Sequence, residues 1–223
     1  MNKADKVILT IEQGQRYIRM ETLKNSVCSY KLVTLEDLAD CFLQSQSGLA
    51  IHSGLLPPNC LSYSEGEKGW CSITVLFPER YCDFTYHKTT YPHFPLPQLV
   101  FRFSLFRGGR VKKVGVGVVE EGRVTPESKM YRYPFSNVRG YEMCTGSNAL
   151  PGYESLHGIS TLPYFILSMP NNDDYYSAGN NQQKLEFRDL LEELKDKELG
   201  YYYSNVLIPN GDTLQDFITM NNK

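Results

Sequence analysis

The stretch "QLVFRFSLFRGGRVKKVGVGVVEE", residues 98–121, constrains the fold more than any other part of the chain. Two runs rich in Val, Leu and Phe stand on either side of Arg-Gly-Gly-Arg. Branched and aromatic side chains suit a pleated, half-buried surface, and paired glycines suit a tight reversal, so the stretch predicts an antiparallel hairpin. Gly115-Val116-Gly117 lies inside the return strand. No helix pattern follows it to hold a phosphate, so a dinucleotide loop is a poor reading; a bulge or close packing fits better. The basic run Arg102, Arg107, Arg110, Lys112 and Lys113 reads as a solvated face of this hairpin.

More strands precede it. "WCSITVLFPERYCDFTYH" is strand-rich, with Ile73, Val75 and Phe77 alternating against Ser72, Thr74 and Leu76. "KVILTIEQGQRYIRMETL" reads as a strand pair turning at Gln13-Gly14. "VTLEDLADCFLQ" reads as a short helix capped by Thr34, with Asp37 three residues on. Residues 44–69, rich in Ser, Gly and Pro, read as an irregular connection. "TTYPHFPLP" reads as unable to hold a ladder, because its three prolines lack the amide donor.

Beyond the hairpin, "GRVTPESKMYRYP" predicts a turn and one short strand, and "STLPYFILSMP" a short helix or an extended buried stretch. "NNDDYYSAGNN" is a polar loop. "QQKLEFRDLLEELKDKE" carries an apolar stripe of Leu185, Leu190, Leu191 and Leu194 and is the best helix pattern in the chain. A last helix follows, capped by Asp212 or Thr213. Tyr201, Tyr202 and Tyr203 line a partner surface or pack beneath that last helix, and packing is favoured. Strands first and helices afterward make an α+β layout. The expected division is 1–70, a strand pair, short helix and loop region packed on the core, and 71–223, the core with its C-terminal helices, together one compact unit.

Charge excludes little but is informative. With 23 basic against 25 acidic residues, nothing argues for nucleic-acid binding, which needs a clustered positive surface. No stretch reaches the ~18 apolar residues of a spanning helix, so no membrane partner is expected. The N-terminal apolar run is too short for a secretion signal, which predicts a cytoplasmic protein with reduced thiols. The six cysteines form no Cys-x-x-Cys pair, and Cys82, His87 and His93 match no metal spacing, so neither metal nor cofactor is expected. Cys28, Cys41, Cys60 and Cys71 read as small buried hydrophobes.

Cys144 differs from these. It follows "YRYPFSNVRGYEM", a segment too broken for a regular helix or strand, and precedes the Leu150-Pro151-Gly152 turn. A polar, turn-rich setting exposes a thiol, which is where a nucleophile belongs. His157 lies further on, as a base or as an exposed loop residue.

The spaced set Pro97, Leu99-Val100-Phe101, Tyr131, Pro134, Phe135, Asn137, Val138, Cys144, Gly146 and Leu150-Pro151 resembles the active-site region of ubiquitin-conjugating enzymes. It is more similar to a bacterial branch, the prokaryotic ubiquitin-conjugating-enzyme-like family of the PRTRC system protein B type, and "LIPNGDTLQDFI" also resembles that family's ending. The likeness spans about residues 95–220. It implies an antiparallel meander sheet of about four strands with an inserted hairpin, the cysteine on a flap beyond it, and C-terminal helices. It implies partners: a ThiF-like adenylating enzyme, a ubiquitin-like protein and a metal-dependent deconjugating peptidase. On it, Cys144 is the thioester carrier, Asn137 the oxyanion donor and Asp174, in "MPNNDDYY", the group that orients an incoming amine. Three departures stand out: Phe135 where those enzymes have His, Ser136 where they have Pro, and some 40 residues between Pro97 and Asn137, far more than in the eukaryotic enzymes and consistent with the inserted hairpin of the bacterial branch. A catalytically silent adaptor of the same fold, docking the adenylating enzyme or the modifier, is the alternative.

Overall fold

The computed structural model describes residues 6–24, 27–46, 54–66, 70–106 and 109–220. The chain divides into two compact units, Met1–His52 and Ser53–Lys223. In the first, β1 (Lys6–Thr10), β2 (Ile18–Lys24) and β3 (Val27–Val33) form an antiparallel sheet in that order. The expected reversal falls at Gly14, whose φ of 85° suits a residue without Cβ. Ile18 and Val33 face each other across the ladder and are buried, while Tyr30 and Leu32 are exposed. α1 (Leu35–Gln46) starts where expected. The Thr34 hydroxyl accepts from the Asp37 amide at 3.0 Å, and the Asp37 carboxylate accepts from the Thr34 amide at 3.0 Å, a reciprocal cap.

The second unit is built on β4 (Cys60–Glu65), β5 (Trp70–Phe77), β6 (Arg80–Tyr86), β7 (Thr89–Leu96), β8 (Leu99–Phe106) and β9 (Arg110–Val119). Strands β4, β5, β8 and β9 lie side by side in that order, all antiparallel. β10 (Lys129–Tyr131), β11 (Val138–Arg139) and β12 (Glu142–Met143) continue the sheet. A 3-10 turn then leads into α2 (Leu162–Leu167), α3 (Phe187–Leu194), α4 (Tyr201–Asn205), β13 (Pro209–Thr213) and α5 (Leu214–Thr219). The architecture is therefore α+β, mostly antiparallel, with C-terminal helices.

Both sheet faces are covered. Ile73, Val75 and Phe77 of β5, Phe101 and Phe103 of β8, and Val114, Val116 and Val118 of β9 share one core with Leu162, Leu190, Leu191, Leu194 and Tyr202. Val100, Val119 and Met130 form a smaller core with Leu214 and Phe217 of α5. The alternation in β5 thus marks two real faces, with Leu76 packed against the smaller core.

Several expectations are corrected. Residues 60–65 are not irregular: they form strand β4, which among the described residues is paired on one side only, as its polar composition suits. The proline-rich stretch does hold a ladder, pairing β7 with β6. Pro95 stands opposite Tyr81, but its carbonyl accepts from the Tyr202 hydroxyl at 2.8 Å. In an antiparallel strand the amide nitrogen and carbonyl of one residue point to the same side, so the missing donor faces away from β6. Pro92 falls where the register shifts between Cys82 and Phe84.

The glycines of β9 mark no bulge. The register shift lies at Lys112, between the pairs formed by Ser104 and Leu105. Gly117 instead serves close packing: a Cβ there would sit 2.6 Å from Met130 Cε and 3.0 Å from Tyr141 Cε1. Arg102 is not on a solvated face. It is half-buried, its Nε donates to Ser72 Oγ at 3.0 Å, and its Nη1 donates to the Met220 carbonyl.

Leu185 lies outside α3. The Asn181 side chain holds the Leu185 backbone on both sides, at 3.0 Å each, and delays the helix to Phe187. Thr213, rather than Asp212, caps α5 in a reciprocal box with Asp216. The three tyrosines belong to packing, but as α4 itself. Tyr202 is fully buried, and the Tyr203 hydroxyl donates to the Val119 carbonyl at 3.1 Å. Cys28 is exposed, Cys60 and Cys71 are half-buried, and the Cys41 side chain lies outside the described residues.

Candidate active site

The segment expected to be too broken for a strand contains two, each of two residues. β11 and β12 pair Val138 with Met143 and Arg139 with Glu142, leaving Gly140 and Tyr141 as a two-residue turn. Gly140 has φ 62°, as the first position of such a hairpin turn requires. Asn137 and Cys144 are the next residues outward on the two arms. The Cys144 amide donates to the Asn137 carbonyl at 2.8 Å, so the two residues face each other at the open end.

Asn137 adopts φ 63°, a left-handed conformation that asparagine tolerates better than most residues. This turn of the chain aims its amide at the 171–174 loop, where the Asp174 carbonyl accepts it at 2.7 Å. Within the described residues no hydrogen bond engages the Asn137 carboxamide. The three residues expected at the site are thus joined by two consecutive main-chain bonds.

The loop carrying Asp174 is itself fixed. Asn172 Oδ1 accepts from the Asp174 amide at 2.8 Å, and Asn172 Nδ2 donates to Asp174 Oδ2 at 2.8 Å. Asp174 is exposed. Its neighbour Asp173 accepts from the Tyr86 hydroxyl at 2.6 Å and lies 3.3 Å from His87 Nε2. These contacts, the Tyr86 hydrogen bond foremost, hold the Asp173 carboxyl below its ordinary range.

Phe135 and Ser136 stand where the resembled enzymes have His and Pro, and both are buried. Phe135 packs on Phe84 at 4.9 Å and on Tyr133 at 5.3 Å between ring centroids. Ser136 Oγ donates to Asn171 Oδ1 at 3.0 Å, and the Asn171 amide donates to the Thr85 carbonyl at 2.8 Å. One residue anchors the approach to Asn137 by apolar burial and the next ties it to the loop and to β6.

Cys144 is exposed. The other thiols of this unit are poorer nucleophiles: burial pushes Cys82 up to about 11 and raises Cys60 and Cys71. After Cys144 the chain turns through Gly146, φ 56°, with the Asn148 amide on the Thr145 carbonyl at 3.1 Å. It is tied down again where the Tyr153 amide donates to the Gly109 carbonyl at 3.0 Å. A Cβ on Gly109 would lie 1.5 Å from the Tyr153 carbonyl oxygen, so only glycine fits.

No family model, curated protein or solved structure matches the chain.

The histidines have partners of their own. His157 is exposed and its Nδ1 lies 3.2 Å from the Leu56 carbonyl, which occupies one ring nitrogen. His93 stacks on Tyr81 at 4.2 Å. Among the described residues no three His, Cys, Asp or Glu side chains gather as a metal site, and no helix is long and apolar enough to cross a membrane. Sequence reasoning missed Tyr141. Its ring packs edge-on to Phe217 at 5.0 Å, its hydroxyl donates to Asp212 Oδ2 at 2.9 Å, and Asn210 Nδ2 donates to that hydroxyl. A Gly-X pair between two short polar-apolar dipeptides was the available signal for the hairpin, though not for its anchor.

Proposed function

We propose that this chain carries a ubiquitin-like modifier as a thioester on Cys144. The modifier comes from a ThiF-like adenylating enzyme and passes to an amine. The carrying observation is the pair of main-chain bonds that set the exposed Cys144 against Asn137 and Asn137 against Asp174. Further support comes from the four antiparallel strands β4, β5, β8 and β9, with the cysteine hairpin on the outer edge of β9 and helices following in the chain. An antiparallel sheet followed by C-terminal helices is the coarse layout that the resemblance leads one to expect.

The chemistry proceeds in two acyl transfers. The Cys144 thiolate attacks the carbonyl carbon of the donor thioester. A new C–S bond forms, the donor C–S bond breaks, and the donor sulfur leaves as thiolate, taking up the proton that Cys144 gave to solvent. In the second transfer an amine attacks the same carbon; the C–N bond forms, the bond to Cys144 Sγ breaks, and the amine proton goes to solvent. Each passes through an oxyanion. On this reading the Asn137 carboxamide, which no hydrogen bond engages within the described residues, donates to it, an interaction worth about 3 kcal/mol of barrier. Asp174, exposed on the adjoining loop, orients the incoming amine. In such a pathway a metal-dependent peptidase reverses the conjugation, and the compartment is one where thiols stay reduced, as in the cytoplasm.

The test combines the purified chain, a ThiF-like enzyme, its ubiquitin-like partner and ATP. A gel shift removed by reductant is expected, and Cys144→Ser should give an adduct that resists reductant as an oxygen ester or give none. A shift unchanged in Cys144→Ser rejects the site. Co-elution of the partners with no adduct at all favours the silent adaptor.

A further inference from the structure

The hairpin bearing the site is too small to hold itself. Its arms have two residues each, and a single residue pair, Glu142 with Gly115, is in register with the sheet. An isolated two-stranded hairpin is marginal in water even when longer. Its open end is fixed by the Asp174 carbonyl. Its tip is fixed through Tyr141 by four contacts. The Tyr141 carbonyl accepts from the Val116 amide at 2.9 Å, the ring fills the recess that Gly117 leaves, and its edge meets Phe217. The fourth contact is polar: the hydroxyl lies between Asn210 and Asp212 on β13, the strand that leads into α5.

From this we infer that Tyr141 is a positioning residue. Its hydroxyl clamps the hairpin tip to Asn210 and Asp212, and so holds the Asn137 carboxamide and the Cys144 sulfur in a fixed mutual orientation. The inference deepens the carrier reading and rests on it for its kinetic consequence. The geometry singles out the hydroxyl from the ring. The ring and the backbone contact hold the half-buried residue against the sheet and Phe217, whereas the hydroxyl bonds add a directional tie to β13. Burial raises the hydroxyl pKa, so it remains a proton donor to Asp212 throughout the neutral range. Asp212 in turn is braced by its own amide on Asn210 Oδ1 at 3.1 Å. The clamp is thus a closed set of three side chains supplied by two segments far apart in the chain.

The experiment uses the full chain with Tyr141→Phe, which keeps the ring, and with Asp212→Ala, which keeps the tyrosine. Asp212→Asn retains an acceptor and serves as the rescue variant. Two quantities are read: amide hydrogen exchange at Cys144 by NMR, and the kinetics of modifier transfer to a small amine. Tyr141→Phe and Asp212→Ala are expected to speed Cys144 amide exchange about tenfold and lower kcat about tenfold with KM for the amine unchanged. Asp212→Asn should stay near wild type, and the double variant should be no worse than either single one. Unchanged exchange in both single variants overturns the clamp. Faster exchange with unchanged kcat overturns its role in positioning. If wild type forms no thioester while exchange responds as expected, the clamp stands and the carrier reading falls.

Discussion

The hairpin β6–β7 and the hairpin β11–β12 sit within the same unit and both reach its main core, yet they lean on it to very different degrees. β6 and β7 run for seven and eight residues and bury Phe84, Phe94 and Leu96 completely or nearly so. Phe84 alone meets Phe94, Phe135 and Phe187, with centroids 5.0, 4.9 and 6.5 Å away. β11 and β12 have two residues per arm, with Arg139, Gly140, Glu142 and Cys144 exposed; Val138 is buried in the main core and Met143 packs against it, and the rest of their support is hydrogen bonds and the Tyr141 ring. The first arrangement contributes stability, because apolar burial is large and insensitive to exact placement. The second contributes orientation, because hydrogen bonds are directional and individually modest. On the proposed function, a site that exposes a thiol and leaves an amide free needs the second kind of support.

The contrast predicts opposite partitions of effect between stability and chemistry. Phe84→Ala should cost about 3–5 kcal/mol of unfolding free energy, read as a lower urea midpoint with unchanged slope. A loss below about 1 kcal/mol would mean that the aromatic cluster does not secure this part of the unit. Asn137→Gly should behave the other way. Glycine accepts φ 63° without strain, so stability should move by no more than about 0.5 kcal/mol. Loss of the carboxamide should slow modifier transfer roughly 100-fold. Equal transfer rates in Asn137→Gly and wild type would remove Asn137 from the chemistry.

Gly117→Ala joins the two kinds of support. Its methyl presses on Met130 Cε, which can swing aside, and on the Tyr141 ring, which cannot do so without moving the hairpin tip. The expected cost is about 1–3 kcal/mol, with a changed rate of Cys144 alkylation by iodoacetamide. An altered melting temperature with identical alkylation would show that the recess serves the core alone.

The smallest effect concerns pH. The Asp173 carboxyl is held low by the Tyr86 hydroxyl and by His87. A depressed folded value means that its contribution is complete above the ordinary aspartate range, about 4, and is lost as pH falls through the lower folded value. The group is largely exposed, so solvent screening keeps the effect slight. Asp173→Asn should lower the melting temperature a little at pH 7, and the difference from wild type should shrink below about pH 4. A difference that grows on acidification would contradict this linkage.

Much of the framework was legible from neighbouring residues. The β8–β9 hairpin, the alternation in β5, the cap at Thr34 and the turn-rich exposure of Cys144 each depend on residues within one turn or one strand. Local periodicity and turn chemistry are written at that range. The proline-rich strand was misjudged because a missing donor matters only on the side where a neighbour sits, and the sequence does not say which side that is. Strand β4 was missed because half its residues are polar and, among the described residues, one flank is unpaired.

The candidate site divides the same way. Sequence alone singled out the residues on which the proposal rests: one thiol among turn formers and, through the resemblance, Asn137 and Asp174. Only the tertiary structure decided that the Asp174 carbonyl meets the Asn137 amide and that Tyr141 closes the hairpin tip on Asn210 and Asp212. Those partners are distant in the chain. They meet because the sheet and its helices pack in one register, and that depends on the sum of buried contacts rather than on any local motif.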